Sequence, residues 1–320
     1  MDKIDKSLLF ELNWNCRQSD NAIAKRLRTS KQVINYRLKK LEKEGIITGY
    51  SALIDWRKLG YNAFRVYLKW KNINPEIEAE IYEEVRKNPL FMWTMKFEGE
   101  FDFAVYVWSK NTIDLYEKWN VFFKKYKKYV LKQEICESVN MIHYPLKFLT
   151  EKKDIPEKII GIGEEVKIDE KDNEIIDQIS SNARISIVDL TQKIRLTPKA
   201  IIYRLRNLEK KGVLIGYNAI IDFKKLDLEF YKVDFYLNDL SKLNKMYYFS
   251  KEHRKIIYAM KTFGGPDYEI EILVKNAEEL NKIISEIKTE FSDVIEYSRI
   301  HFMSKTIKQV YLPGKSLTGK

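Results

Sequence analysis

The chain has 320 residues, 45% of them hydrophobic and 32% charged, enough apolar surface for a sizeable core and too much for wholesale disorder. Its formal net charge of +11 points to a polyanionic partner. No uncharged apolar run is long enough for a bilayer, and "MDKIDKSLLFELNWN" opens on alternating acids and bases instead of a signal peptide, so a cytoplasmic protein with no membrane partner is expected.

In chain order, Ile4, Leu8, Leu9 and Leu12 recur at helical spacing and predict a first amphipathic helix. "SDNAIAKRL" predicts a second, capped by Ser19 with Ile23 and Leu27 one turn apart. After a tight connection, Ser30 caps a third helix, "SKQVINYRLKKLEKEG", which ends on Gly45 as a left-handed C-cap. "IITGYSALID" then reads as two short extended runs about a glycine, a wing-like hairpin. Three helices and a hairpin make a winged helix-turn-helix.

The next stretch reads strand, helix, strand, strand, helix, strand: "AFRVYLKW", "PEIEAEIYEEVRKN", "FMWTMKFEG", "FDFAVYVW", "TIDLYEKWNVFFKKYKKY" and "VLKQEICESVNMIHY". That order is ferredoxin-like, βαββαβ. Such a sheet carries helices on one face, and its other face needs a cover, commonly a second such sheet. The aromatic residues Trp119, Phe122, Phe123 and Tyr126 at helical spacing are core candidates, with the lysines between them on a solvated face.

The whole unit is then written again. Tyr36 aligns with Tyr203 at an offset of 167, held without a gap from Asp2/Asp169 to Leu59/Leu226. "TPKAIIYRLRNLEKKG", Thr197 to Gly212, repeats the third helix, and "GGPD" answers "GEFD" at an offset of 165. Ser186 opens the second helix of the new copy, and Pro198 sits at the first position of the third, where its missing N–H is harmless. An internal duplication is settled before any fold assignment. The expected class is α+β, two tandem copies of a winged helix-turn-helix followed by a ferredoxin-like module. The expected bounds are 1–60 and 61–149 for the first copy, 168–227 and 228–313 for the second, a charged tether at 150–167 and a tail at 314–320.

Ile34, Leu38 and Leu41 fall on the inner face of the third helix, leaving Lys31, Gln32, Asn35, Tyr36 and Lys39 outward. The second copy offers Lys199, Ile202, Tyr203 and Arg206. Such a face suits the major groove of double-stranded DNA: cations for phosphates, amides for adenine edges, aromatics for thymine methyls. Arg37 and Arg204 are expected to brace the helix or touch phosphate. Ile202 either meets a thymine methyl or marks a copy that no longer reads DNA.

These features, "YRLKKLEKEGIITGYSALID" coupled to a module with a Gly-x-x-Asp turn, resemble the leucine-responsive regulatory protein and asparagine-operon regulator (Lrp/AsnC) family over nearly the whole chain, twice. The resemblance implies a DNA-binding transcription regulator whose effector modules pair sheet to sheet and in some members bind amino acids, so an amino-acid effector is an expected partner. Gly99, Asp102, Gly264 and Asp267 mark the effector turn, read here mainly as structural. Lys31 departs from the family's usual proline, and Tyr36 and Tyr203 from its frequent arginine. Most members are single units that dimerise, whereas this chain is expected to build the dimer within itself, with further self-assembly left open.

No metal or cofactor is expected. His143, His253 and His301 form no HxxH or HExxH pair, Cys16 and Cys136 form no CxxC and read as buried thiols, and "GIG" at Gly161 lacks a third glycine. The expectation is a regulator and not an enzyme. Two alternatives stay open: a nucleoid-packaging protein that binds DNA through charge, and a siroheme-decarboxylase-like enzyme, since such enzymes resemble this two-part architecture and rely on histidine and arginine near a tetrapyrrole.

Overall fold

The computed structural model describes residues 1–71, 73–152, 155–310 and 312. The expected tail at 314–320 and residues 153–154 of the tether lie outside them. Side-chain caps set the first helices: Asp2 before α1 (Lys3–Trp14), Ser19 before α2 (Asp20–Arg26) and Ser30 before α3 (Lys31–Lys43) each accept a backbone N–H from the first turn. Gly45, at φ +67°, turns the chain out of α3. Leu8, Leu9, Leu12, Ile23, Ile34, Leu38 and Leu41 are all buried in the core these helices share.

The wing differs from the sequence expectation. Residues expected to fold back about Gly49 form one continuous strand, β1 (Ile47–Ile54). Its partner is the matching strand of the other copy. An edge with unpaired N–H and C=O groups needs a partner, and the second copy supplies the equivalent strand.

The first effector module follows as β2 (Asn62–Trp70), α4 (Pro75–Lys87), β3 (Phe91–Glu98), β4 (Phe103–Ser109), α5 (Thr112–Tyr126) and β5 (Val130–His143). The tether contains β6 (Lys158–Ile160), which pairs with β5. The second copy repeats the plan with α6 (Glu170–Ser181), α7 (Ile187–Ile194), α8 (Pro198–Lys210), β7 (Leu214–Ile221), β8 (Glu229–Leu237), α9 (Leu243–Glu252), β9 (Ile256–Phe263), β10 (Tyr268–Val274), α10 (Ala277–Glu290) and β11 (Ile295–Gln309). Asp169, Ser186 and Thr197 cap α6, α7 and α8 as their counterparts do in the first copy.

β1 and β7 form a two-stranded antiparallel ribbon, with Tyr50 opposite Ala219 and Ala52 opposite Tyr217. α1 packs on β7 and α6 on β1, so each helical module is completed by the other copy's strand. The effector sheets also join, by their edges: β3 pairs with β11 and β5 with β9. With β2 paired to both β4 and β5, eight strands close into a ring, β2-β4-β3-β11-β8-β10-β9-β5. Closure removes the free edges that two separate four-stranded sheets would expose.

The outward residues of the ring lie under helices. Phe64, Val66, Leu68, Val105 and Val107 belong to the cluster completed by α4 and α5, and Val233, Phe235, Ile270 and Ile272 to the one completed by α9 and α10. The alternate residues of the same strands point into the ring. No helix of the described residues is long and apolar enough to cross a membrane.

Candidate functional site

The α3 helix presents the outward face that its spacing predicts. Lys31, Gln32 and Lys39 are exposed, Tyr36 is 70% exposed, and Tyr203 on α8 is 71% exposed, so neither ring is spent on a core. Lys199 and Arg206 are exposed, and Ile202, at 38%, leaves part of its apolar surface free. Arg37 does not reach outward: its Nη1 donates to Asp2 at 2.6 Å and Asp5 at 2.7 Å, tying α3 to the start of α1. Arg204 makes the same tie to Asp169 and Asp172, at 2.7 Å each. Those contacts hold both carboxylates of the caps, Asp2 and Asp169, below their usual range: for Asp2 through its backbone hydrogen bond and then Arg37, for Asp169 through Arg204 first. Asn35 is half-buried, and its Nδ2 lies 3.4 Å from Asp20 Oδ2, an acid that also holds Arg184 of the other copy at 2.9 Å. Its amide is therefore partly engaged before any base edge arrives.

The effector turns are occupied by structural bonds. Asp102 accepts from Trp70 N at 2.9 Å and from Lys69 Nζ at 2.7 Å, and Asp267 accepts from Leu237 N at 2.8 Å. Each carboxylate thus clamps the end of its module's first strand to the turn. Gly99 and Gly264 sit at φ +144° and +84°, where a side chain is strained.

Sequence reasoning missed the ring interior. Arg65 on β2, fully buried, donates to Glu269 at 2.8 Å and Glu271 at 3.3 Å on β10. Lys232 on β8 pairs with Glu269 at 2.9 Å and with Asp234, and Tyr67 donates to Glu269 at 2.9 Å. Arg299 on β11 binds Glu134 on β5 at 2.7 Å and Asp234 at 3.1 Å. His301 Nε2 lies 3.1 Å from Asp234 and its ring packs against Tyr67, Phe97 and Phe101. Burial pushes Glu269 up, but Lys232 and Arg65 outweigh it and hold it below its ordinary value, whereas burial wins at Glu271 and raises it. Burial also brings Lys232 down to about 8, and, with Lys232 and Arg299 adding to it, His301 to about 3. The signal was present as alternation: Lys232 and Asp234 in "FYKVDFYL", Glu269 and Glu271 in "YEIEIL". That period-two pattern normally marks a wet face, and here marks the inside of a closed ring.

The histidines are set differently from one another. His143 ends β5 and stacks on Tyr258 at 4.8 Å, with burial lowering it to about 3, while His301 lies within β11 instead of near its end. Among the described residues no group of three or more His, Cys, Asp or Glu could hold a metal ion.

A family model described as winged helix-turn-helix DNA-binding matches residues 1–48 and 168–215, the two helical modules. An HTH-type transcriptional regulator of Pyrococcus furiosus is 33% identical over 130 residues, 39% of this chain and 82% of that protein. The leucine-responsive regulatory protein of Haemophilus influenzae is 37% identical over 60 residues, 19% of this chain and 36% of that protein. The chain belongs to the Lrp/AsnC family. The 130 matched residues are close to the length of one of the two copies and cover most of that relative.

Over the whole chain the fold is similar to that of an enzyme. The siroheme decarboxylase NirDL superposes with a TM-score of 0.64 at 12% identity, covering 98% of this chain and 94% of NirDL. This corrects the expectation of a non-enzyme. At 12% identity the likeness is one of fold, and one fold can carry both DNA binding and catalysis.

Proposed function

We propose that this Lrp/AsnC protein is a sequence-specific, DNA-binding transcription regulator that works as a dimer built within one chain, with two non-identical reading heads. The observation that carries the reading is the pair of exposed, cationic helix faces, α3 and α8, each braced by an arginine to two acids of its own copy at matching positions and joined through the β1–β7 ribbon. The bracing fixes each helix on its module, and the ribbon fixes the modules on each other, so the heads meet DNA at a set spacing.

Pairing of copy one with copy two is favoured by charge. Arg65 comes from the first copy, and its acids Glu269 and Glu271 from the second. Tyr67 faces Glu134 in the β2–β5 ladder as Asp234 faces Arg299 in the β8–β11 ladder, so Glu134 and Arg299 hold the same position in the two copies. They bind each other at 2.7 Å. Two identical first copies would bring glutamate to glutamate at that position and bury Arg65 without an acid, and two second copies would bring arginine to arginine.

Across α3 and α8, Lys31 corresponds to Pro198, Gln32 to Lys199, Asn35 to Ile202 and Lys39 to Arg206. Selection of binding sites from random DNA with the intact chain is expected to yield two different half-sites. Asn35→Ala should relax preference in one half and Ile202→Ala in the other. A selected palindrome altered equally in both halves by either substitution refutes the two-head reading. Equal affinity for scrambled DNA at every salt concentration points instead to packaging.

A second reading, decarboxylation of a tetrapyrrole, is favoured by one observation, the NirDL likeness across 98% of the chain. NirDL has been solved with an iron-uroporphyrin III analogue. Mixing that compound with this protein tests the reading: a shifted Soret band supports it, and an unchanged spectrum at saturating protein excludes it.

A further inference from the structure

Three of the chain's six tryptophans, Trp56, Trp93 and Trp108, line one cavity. The rest of its wall includes Leu53 and Ile54 of β1, Met141 of β5, Ile160 of β6 and Tyr258 of β9. The ribbon that joins the reading heads, both halves of the ring and the tether therefore meet at one hole. Its volume, counted over the positions open to the centre of a water, is about 50 Å³. One water needs roughly 10–15 Å³ by that measure, so the hole has room for a molecule of several non-hydrogen atoms.

Two features say what that molecule is. Trp56 is 2% exposed, and its Nε1–H has no acceptor among the described residues; Trp93 Nε1–H lacks one as well. Buried donors are normally satisfied, and two orphaned indoles on one wall call for an acceptor. Among the described residues no lysine, arginine, aspartate or glutamate lines the cavity, so a charged ligand would sit there without a counter-ion. Gly161 supports the wall from behind: at φ +88° its backbone lies so close that a Cβ would stand 2.4 Å from Trp56 Cζ2. The tryptophans also belong to one copy alone, since Phe223, Tyr258 and Leu273 stand at the matching positions of the second.

We propose that this cavity is an effector site for a small neutral ligand, with an apolar body of about five or six carbons and a carbonyl-type oxygen that accepts from Trp56 and Trp93. The effector role rests on the DNA-binding reading above. Coupling follows from the wall: Leu53 and Ile54 are opposite Gly216 and Leu214 of β7 in the ribbon, so a ligand that favours one position of β1 biases both heads.

The test uses cyclopentanone as probe and the full chain labelled at its indole nitrogens, with signals assigned through Trp56→Phe and Trp93→Phe. Saturable shifts of the Trp56 and Trp93 signals are expected, with Trp14, Trp70 and Trp119 unmoved. Methylcyclopentane, the same size without the oxygen, should bind at least about tenfold more weakly, and isobutyrate, which is charged, should not bind. Trp93→Phe should weaken cyclopentanone and leave methylcyclopentane unchanged, a comparison within one folded variant. Absence of saturable shifts, or equal binding of the ketone and the hydrocarbon, overturns the site. Saturating cyclopentanone should change DNA affinity by at least about fivefold. Indole shifts with unchanged DNA affinity overturn the effector role. Failure to bind any DNA, with or without probe, defeats the regulator reading, while the indole signals still judge the cavity.

Discussion

Replacing Arg65 by methionine keeps a long apolar stem in the ring and removes one charge. The guanidinium is 0% exposed, bonds Glu269 at 2.8 Å and Glu271 at 3.3 Å, and lies 4.4 Å over the Tyr106 ring. Glu269 keeps Lys232 at 2.9 Å, but Glu271 loses the cation that bonds it. Removing one partner of a buried pair costs about 3–5 kcal/mol, mostly because the other charge is left behind. The second substitution Glu271→Gln removes that charge and is expected to restore at least half of the loss. The pH dependence has a definite sign. Burial already raises Glu271, so its contribution to stability is fully present below the unfolded carboxylate range, about 4.3, and is lost as pH rises through its folded value. Without Arg65 that value moves higher, and the deficit of Arg65→Met should be larger at pH 8 than at pH 5. Urea unfolding of the wild type, the single and the double variant at both pH values measures this. A single variant within about 1 kcal/mol of wild type, or a deficit independent of pH, refutes the argument that this pair selects copy two as the partner of copy one.

Lys39→Ala, which removes an exposed cation from α3, should lower the salt slope of DNA binding by about one. Arg37→Ala, whose charge is spent on Asp2 and Asp5, should cost up to about 1 kcal/mol of stability and leave that slope unchanged. His143 is held near 3 by burial against an ordinary 6.5, so stability present above 6.5 is lost as pH falls towards 3, and His143→Phe should flatten acid unfolding across that window. Gly161→Ala adds a Cβ 2.4 Å from Trp56 Cζ2 at φ +88° and should destabilise by about 1–3 kcal/mol with an altered tryptophan emission, which thermal melts followed by fluorescence will register.

Local rules carried the reading as far as local structure goes. Ser19, Ser30, Ser186 and Thr197 announce helices through the hydrogen bonds they accept, and the spacing of Ile34, Leu38 and Leu41 separates the buried side of α3 from its outward side. The order of strands and helices likewise gives the ferredoxin-like modules. What failed was partner choice. Gly49 looks like a turn in isolation, yet the strand runs through it, because its hydrogen bonds go to β7, some 170 residues away in the chain. Alternation in "FYKVDFYL" separates two faces and says nothing about which is wet. Only closure of the ring, through β3–β11 and β5–β9, turns Lys232 and Asp234 inward. The tryptophan cavity is illegible for the same reason, since β1, β5, β6 and β9 meet there only after both copies have folded together.

The two copies differ at places where the symmetry of a homodimer would forbid difference. In a dimer of identical chains, a residue beside the two-fold axis meets itself, so a charge there is either left unpaired or opposed by its like. Fusion removes that constraint, and Glu134 with Arg299 uses the freedom. The same freedom applies at a distance. Once the ring holds one first copy and one second copy, each ring carries one α3 and one α8 joined by the β1–β7 ribbon, and a substitution on one helix is not repeated on the other. Asn35 opposite Ile202, and Lys31 opposite Pro198, can then be selected separately. The tryptophan cavity belongs to the same account, because Trp56 and Trp108 occur in the copy whose matching positions hold Phe223 and Leu273. Fusion of two copies thus licenses asymmetry at the Glu134–Arg299 pair, along α3 and α8, and in the tryptophan cavity.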